Sequence, residues 1–263
     1  MDFTLDAYRC LLLTLKKSGY AFVTFADYCD GKADFSHEKF VILRHDVDAK
    51  AVNALRVAQI EAAFGVRASY YFRIVPASNQ PDIIRQIAAL GHEIGYHYED
   101  MSLCHGDAAQ AQTHFAEWLH YFRQFYPVRT ICMHGAPRSK FDGRTLWQTC
   151  DYRTFGIVGE PYFDVDFADV FYLTDTGRRW DGYKVSLRDK IPLYQDEWTH
   201  RGFVYRTTAD IMAAAERGTL PPHIMMTTHP QRWTNSHAAW LKELCLQRAK
   251  NCVKRLIVVC KSK

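Results

Sequence analysis

The chain has 263 residues, of which 48% are hydrophobic, and a formal net charge of +4. This length suits one large domain or two small ones, and the apolar fraction is enough to build a buried core. No apolar run approaches the ~18 residues that a membrane-spanning helix needs. The first residues also lack the basic and apolar regions of a secretory signal. We therefore expect a soluble, cytoplasmic protein with no membrane span.

Cysteine spacing and charge distribution argue against a zinc ribbon, a thioredoxin-type protein and a nucleic-acid-binding protein. The eight cysteines form no CxxC pair, so neither a zinc ribbon nor a thioredoxin-type motif is supported. We expect reduced thiols, several of them serving as small core residues. Basic residues are concentrated only between Lys250 and Lys263, which is typical of a solvated tail. No nucleic-acid partner is predicted.

Helix and strand patterns alternate along most of the chain. Apolar positions three and four apart predict helices, and short runs rich in β-branched and aromatic residues predict strands. The predicted helices cover 5–17, 51–64, 81–90, 108–125, 209–216 and 237–253. The predicted strands cover 20–25, 40–44, 68–74, 92–97, 130–133, 171–174, 224–227 and 256–260, with a polar loop at 29–38.

This alternation predicts a parallel sheet of βαβ units. Histidines and aspartates collect after the strands, at the end of a parallel sheet where active sites are built. No linker interrupts the pattern. We therefore expect a single α/β barrel domain over residues 1–263, with residues 1–39 as an extension packed on the barrel.

The first chemical motif is Arg44-His45-Asp46-Val47-Asp48, at the end of the strand predicted at 40–44. Two carboxylates at such a position can share a cation, or one can act as base and the other as ligand. One aspartate could instead only cap the following helix. A cap does not explain four ionisable side chains together, so the motif indicates a catalytic or metal site.

Histidines follow three more predicted strands. His97 ends the strand at 92–97, and neutral imidazole is the commonest zinc ligand. His134 follows the strand at 130–133, where it could be a ligand or a loop histidine bonded to backbone. His229 could serve as a general acid, with Asp175 orienting its ring. The chain lacks GxxxxGK[ST], GxSxG, HExxH and the Gly-rich dinucleotide fingerprint. This weighs against P-loop enzymes, serine α/β-hydrolases, zincin proteases and Rossmann oxidoreductases.

Over roughly residues 40–233 these motifs resemble, in order, those of the polysaccharide deacetylase superfamily, carbohydrate esterase family 4 with its NodB homology domain. Residues 44–48 stand at the family's Asp-Asp motif, and residues 91–97 resemble its Gly-His-Glu-Ile-Gly-x-His segment. Residues 136–138, the segment around Asp175 and Trp180, and residues 228–230 resemble the remaining motifs. The Arg-His-Asp-Val-Asp form is similar to deacetylase-like proteins of bacterial O-antigen and capsule biosynthesis.

The resemblance implies a distorted (β/α)7 barrel that binds one divalent metal ion, typically Zn²⁺. It implies that Asp46 is the general base, that Asp48 and His97 are metal ligands, and that His229 protonates the leaving amine. Residues expected to contact or support the substrate are Arg44, His45, Arg138, Trp180 and Trp233. The basic and aromatic residues of this set would suit an acidic or phosphate-linked sugar, or they are ordinary loop packing.

Two positions depart from the family pattern. The further histidine expected in the second motif is replaced by Met101. The candidates for the missing ligand are His134 first, His105 second, and Glu99 or Asp100 behind them. The arginine expected in the third motif is replaced by Gly135, and Arg44 or Arg138 could compensate.

The leading hypothesis is a metal-dependent hydrolase that removes N-acetyl or other acyl groups from a sugar precursor or glycan in surface polysaccharide biosynthesis, such as that of lipopolysaccharide O-antigen. Two alternatives stay open at this point. One is a non-catalytic carbohydrate-binding protein that retains the barrel, which the missing histidine favours. The other is a metal-dependent C–N hydrolase of small cyclic amides, which would use the same residues.

Overall fold

The computed structural model describes residues 1–31, 39–136, 139–182, 186 and 189–261. Its helices are α1 (Leu5–Lys17), α2 (Phe25–Cys29), α3 (Ala51–Ala63), α4 (Pro81–Ala89), α5 (Asp100–Leu103), α6 (Ala108–Phe122), α7 (Pro161–Asp164), α8 (Pro192–His200), α9 (Thr208–Glu216) and α10 (His237–Lys261). Its strands are β1 (Ala21–Val23), β2 (Phe40–Val47), β3 (Ser69–Phe72), β4 (Glu93–Tyr98), β5 (Ile131–Met133), β6 (Phe171–Thr174) and β7 (His223–Thr228).

The chain divides into two compact units. One comprises Met1–Phe22, Phe35–Val41 and Asp166–Lys263, and the other comprises Val23–Asp34 and Ile42–Val165. We call them the terminal unit and the central unit. Strand β2 contributes its first two residues to the terminal unit and the rest to the central unit.

In the central unit the strands pair in parallel in the order β5-β4-β3-β2. Every residue of these four strands is buried, which is typical of a parallel sheet covered on both faces. The register places Asp46 beside Tyr71 and His97 beside Cys132. Because the strands are parallel, the residues that follow their carboxyl ends collect at one edge of the sheet.

Gly95 has a packing role in the middle of β4. A Cβ atom at this position would lie 2.3 Å from the ring of Tyr71 and 2.9 Å from the carbonyl oxygen of Thr130. Tyr71 uses the space to cross β4, and its hydroxyl lies 2.8 Å from Oγ1 of Thr130. A larger residue at 95 would therefore displace the strand that carries His97.

In the terminal unit β6 and β7 pair in parallel, from Phe171 beside Ile224 to Thr174 beside Thr227. The amide of Phe40 donates a 2.9 Å hydrogen bond to the carbonyl of Pro222. Helix α1 packs against α9. It begins where Thr4 accepts a hydrogen bond from the amide of Ala7, as its sequence favours.

The predicted α/β class, with parallel strand pairing and helices that follow strands, is confirmed. The assignment of residues 1–39 as an extension stays a prediction. The strand predicted at 256–260 is wrong, because α10 continues through it to Lys261. A short apolar run does not distinguish a strand from a helix, and here the preceding helix is extended. Helices α2, α5, α7 and α8 were not expected, and residues 32–38 of the predicted loop lie outside the described residues.

Within the described ranges, no helix combines the length and the apolar composition needed to cross a membrane.

Candidate metal centre

Three predicted ligands meet at the carboxyl edge of the central sheet. Asp48 follows β2, His97 lies on β4, and His134 follows β5. Nδ1 of His134 is 3.1 Å from Oδ1 of Asp48 and 3.3 Å from Nε2 of His97. Nε2 of His97 is 3.6 Å from the same Asp48 oxygen. The three potential ligand atoms therefore form a nearly equilateral triangle.

The size of this triangle fits a tetrahedral divalent ion. Ligand atoms about 2.0–2.1 Å from a tetrahedral zinc ion are separated from one another by about 3.3–3.4 Å. The separations of 3.1, 3.3 and 3.6 Å lie around this value. Two imidazole nitrogens and one carboxylate oxygen also form the donor set of many catalytic zinc sites, which keep the fourth position open. Asp48, His97 and His134 thus fit the divalent ion predicted from the sequence.

The hydrogen bonds of His97 prepare its ring as a ligand. Nδ1 lies 2.9 Å from the carbonyl oxygen of Cys132, which can only accept, so Nδ1 carries the proton. Nε2 then presents a lone pair towards Asp48 and His134. Burial lowers the pKa of His97 to about 4, against the raising effect of Asp46. The imidazole is therefore neutral near neutral pH.

Arg44 holds Asp46 beside this triangle. Nε of Arg44 donates to Oδ1 of Asp46 at 3.1 Å, and Nη2 donates to Oδ2 at 3.0 Å. Both residues are buried, with exposures of 1% and 5%. A bidentate pair of this kind fixes the plane of the carboxylate. Oδ2 of Asp46 lies 3.8 Å from Nε2 of His97, so a second carboxylate stands next to the ligand triangle.

Two arginines were expected to compensate for Gly135. Arg44 does pair with Asp46, whereas Arg138 lies outside the described residues. The structure gives Arg44 a supporting role beside Asp46, and its direct contact with substrate stays a prediction. Its guanidinium is buried against Asp46 and lies 5.8 Å from the ring centre of Tyr162. The charge of Arg44 is therefore used inside the protein.

His45 is also not at the site. Side chains alternate across a strand, and β2 extends to Val47, so His45 points to the face opposite Asp46. There its Nε2 lies 2.7 Å from Glu61 of α3, and its ring stacks on Tyr70 at 4.3 Å. Tyr70 donates to the other oxygen of Glu61 at 2.5 Å. His45 therefore joins the sheet to α3, and its contact with substrate stays a prediction.

The two tryptophans expected at the substrate belong to the core of the terminal unit. Trp180 and Trp233 are 5% and 1% exposed. Phe3 lies against both rings, with centroids 6.4 Å and 5.1 Å away. The indole of Trp180 donates to Thr208 at 3.0 Å. These contacts favour the packing alternative, and a contact of the two tryptophans with substrate stays a prediction.

Asp175 lies against His229, as the sequence led us to expect. Oδ1 of Asp175 is 2.7 Å from Nδ1 of His229, and Oδ2 accepts from the His229 amide at 2.9 Å. Arg232 donates to Oδ1 at 2.5 Å, and Trp233 donates to Oδ2 at 2.8 Å. Burial raises the pKa of this carboxyl, but Arg232 and His229 outweigh it, and the pKa is about 2. The role of His229 as proton donor stays a prediction.

Replacing Asp175 with asparagine should destabilise the protein by roughly 2–4 kcal/mol at pH 7, because buried donors lose their charged acceptor. The folded pKa of about 2 lies below the usual 3.8, so this stabilisation is present above pH 4 and is lost as pH falls towards 2. Urea unfolding measures the difference in unfolding free energy between wild type and Asp175→Asn, and this difference should be smaller at pH 3 than at pH 7. The control is Asp82→Asn, because the side chain of Asp82 is 93% exposed. It should leave the unfolding free energy nearly unchanged at both pH values. An Asp175→Asn protein as stable as wild type would contradict this assignment.

The other candidates for the missing ligand have different partners. Asp100 accepts from Tyr96 at 3.0 Å and lies 2.5 Å from His114. Glu99 forms a bidentate pair with Arg73 at 2.8 and 2.9 Å. His105 is exposed, and in the part of the chain that the structure describes neither it nor the two carboxylates belongs to a metal-capable group of three. His134 does belong to one, so it is the candidate that the geometry supports.

Two nearby residues were missed from the sequence. Cys132, interpreted as a core cysteine, lies with Sγ 4.0 Å from Oδ1 of Asp46. Its only sequence signal is its position two residues before His134, on a strand that leads to the site. Glu160 accepts from the amides of Met133 at 2.9 Å and Tyr162 at 2.6 Å, which ties the end of β5 to α7. Burial raises the pKa of Glu160 to about 7.

No family model matches this chain, and no curated protein matches it. Among solved structures, the chain is similar to the wild-type form of a CE4 family pseudoenzyme from Bacillus anthracis, at 12% sequence identity and a TM-score of 0.41. The match covers 81% of this chain and 61% of the other, so it spans about three fifths of that structure's length.

Proposed function

We propose that this protein is a metal-dependent hydrolase that removes an N-acetyl or other acyl group from a sugar. One observation carries the proposal. The ligand atoms of Asp48, His97 and His134 are 3.1–3.6 Å apart, beside a carboxylate, Asp46, that is not needed to complete the triangle. A cation next to a carboxylate that can take up a proton is an arrangement suited to hydrolysis of an acyl bond.

Asp48, His97 and His134 would hold the ion. A divalent ion there would polarise the acyl carbonyl and make water acidic enough to lose a proton near a pKa of about 7. His97 would bind through Nε2, because its Nδ1 proton is committed to the carbonyl of Cys132. Glu99 lies behind His134, with Oε2 3.9 Å from Nε2, and could accept from that nitrogen after a small movement.

Asp46 is the proposed general base. Its carboxylate would take the proton of the attacking water, while Arg44 keeps the carboxylate plane fixed through both oxygens. The leaving amine needs a proton in turn. We propose His229 as that donor, since Asp175 stabilises the protonated imidazole through a 2.7 Å contact with Nδ1.

The proposal of a sugar substrate is supported by residues 40–233, whose motifs resemble those of the polysaccharide deacetylases and occur in the same order. The Arg44-His45-Asp46-Val47-Asp48 form further suggests a precursor of bacterial surface polysaccharide, such as O-antigen. We propose this substrate class together with zinc as the ion.

A substrate panel tests the proposal. Chelator-treated protein and protein reloaded with one equivalent of Zn²⁺ would be incubated with N-acetylated free, nucleotide-linked and oligomeric sugars. Free acetate and free amine would be measured together. We expect equal release of both products by the reloaded protein only.

The same panel separates the alternative functions. Met101, in place of the expected histidine, favours a non-catalytic carbohydrate-binding protein. Saturable sugar binding by zinc-loaded protein without any acyl release would support that alternative and overturn ours. Ring opening of cyclic amides without deacetylation would instead assign the site to the C–N hydrolases.

A further inference from the structure

A second group of three potential ligand atoms lies beside the first and shares His97 with it. Asp46, His97 and Cys132 are all buried, and one ligand atom of each lies within 4.8 Å of the other two. Sγ of Cys132 is 4.0 Å from Oδ1 of Asp46, and Nε2 of His97 is 3.8 Å from Oδ2. The donors here are a thiol, an imidazole and a carboxylate, whereas the first group has no sulfur.

The two groups differ in size. Around a tetrahedral zinc ion, with a sulfur ligand at about 2.3 Å and oxygen or nitrogen ligands at about 2.0–2.1 Å, sulfur and oxygen would be about 3.6 Å apart and nitrogen and oxygen about 3.3–3.4 Å. In the second group Sγ is 4.0 Å from Oδ1 of Asp46 and Nε2 of His97 is 3.8 Å from Oδ2, and each separation is wider than the zinc value by a few tenths of an ångström. The first group is centred on the zinc value. The second group therefore fits a larger ion than the first.

Chemical softness points the same way. A thiolate ligand selects soft metal ions, whereas carboxylate and imidazole accept harder ones. Cd²⁺ is both larger and softer than Zn²⁺. The negative charges of Asp46 and of a Cys132 thiolate would balance a divalent cation, and Arg44 already binds Asp46 from the side.

We infer that Asp46, His97 and Cys132 form a second metal position that overlaps the first and binds larger, thiophilic divalent ions such as Cd²⁺. When the bond between Sγ and the ion forms, the thiol proton passes to solvent. Nε2 of His97 has one lone pair, so only one of the two positions is filled at a time. This inference deepens the proposed function and rests on it, because an ion at the second position occupies the proposed base and a ligand of the proposed hydrolytic ion.

An ion at the second metal position should inhibit the proposed hydrolysis, so we expect soft ions to act as inhibitors. Cd²⁺ bound there would engage Asp46 and remove His97 from the first triangle. It would thus inhibit without contacting substrate, and adding Zn²⁺ would relieve it by competition for His97.

The direct test is the ultraviolet charge-transfer absorption of a cadmium–thiolate bond, followed as Cd²⁺ is added to the protein of residues 1–263. The cysteines that are exposed among the described side chains, Cys10, Cys245 and Cys252, are first replaced by serine to remove these thiols. We expect a band that saturates at one equivalent and disappears in Cys132→Ser. It should persist in Cys104→Ser, which removes another buried thiol, and in His134→Ala, which disrupts only the first position.

If Cys132→Ser does not fold, Cd²⁺ affinity in Asp46→Asn and competition between Zn²⁺ and Cd²⁺ test the second position. Asp46→Asn leaves the thiol in place and should weaken Cd²⁺ binding by roughly tenfold or more, a loss typical of altered metal sites. Added Zn²⁺ should raise the Cd²⁺ midpoint in proportion to its concentration. A band that survives in Cys132→Ser, unchanged affinity in Asp46→Asn, or independent binding of the two ions would overturn the inference. Zinc binding that is intact in wild type and lost in His134→Ala would leave the proposed function standing in each case.

Discussion

Replacing His134 with alanine should weaken zinc binding by at least about 100-fold. Loss of a residue that merely supports a ligand costs roughly 10–100-fold in metal affinity, and His134 supplies one of the three ligand atoms directly. Its Nδ1 lies 3.1 Å from Asp48 and 3.3 Å from His97, so the two remaining ligands would hold the ion alone. Competition with a fluorescent chelator at pH 7.5 measures the dissociation constants.

His105→Ala is the matched control, because His105 is an exposed histidine of the same region and was the second candidate for the missing ligand. It should bind zinc as wild type does. Unchanged affinity in His134→Ala together with a loss in His105→Ala would transfer the ligand role and disprove the assignment. Circular dichroism melting confirms that both variants are folded.

Asp46→Asn should lower the rate of acyl release by about 10²–10⁴-fold while the protein still binds one zinc ion. This range is typical for removal of a general base, and an amide cannot take up the proton at neutral pH. Zinc should remain because the Asp48, His97 and His134 triangle does not include Asp46. The measurements are kcat/KM on the substrate found in the panel and zinc content of the same samples.

Asp82→Asn serves as the control for this substitution, since it makes the same chemical change at an exposed position. A rate within threefold of wild type in Asp46→Asn would contradict the role of Asp46 as base, since threefold is far below the range for a general base. Loss of the zinc ion would show instead that Asp46 is a ligand. Either result would change the mechanism without changing the fold.

The candidate ligands could be found from the sequence because of a general property of parallel sheets. Asp48, His97 and His134 follow or end three different predicted strands, and the carboxyl ends of parallel strands lie at one edge. No long-range information is needed to bring such residues together once the strands are recognised. His134 became the first candidate for the third ligand in the same way, from its placement after the strand predicted at 130–133.

Residues at the boundary of a strand were harder to predict. Ending β2 at Arg44 left His45 and Asp46 in a loop, where both could face the site. The strand runs to Val47, so alternation sends Asp46 to the site and His45 to Glu61. An error of three residues at a strand end therefore changed the assigned role of His45.

Distant packing partners were invisible in the sequence. An aromatic residue in a loop has the same local pattern whether it binds a sugar or fills a core. Trp180 and Trp233 pack against Phe3, which lies far from both along the chain. Cys132 is similar, because only the register between β4 and β5 places it beside His97.

The ion that Asp48, His97 and His134 are proposed to bind is the central feature of the site. X-ray absorption spectroscopy of the protein with one equivalent of Zn²⁺ would report the atoms around the metal. We predict only nitrogen and oxygen neighbours at about 2.0–2.1 Å, with the scattering pattern of two imidazoles. Failure to bind zinc stoichiometrically, or a sulfur neighbour at about 2.3 Å in place of one imidazole, would contradict the proposed centre.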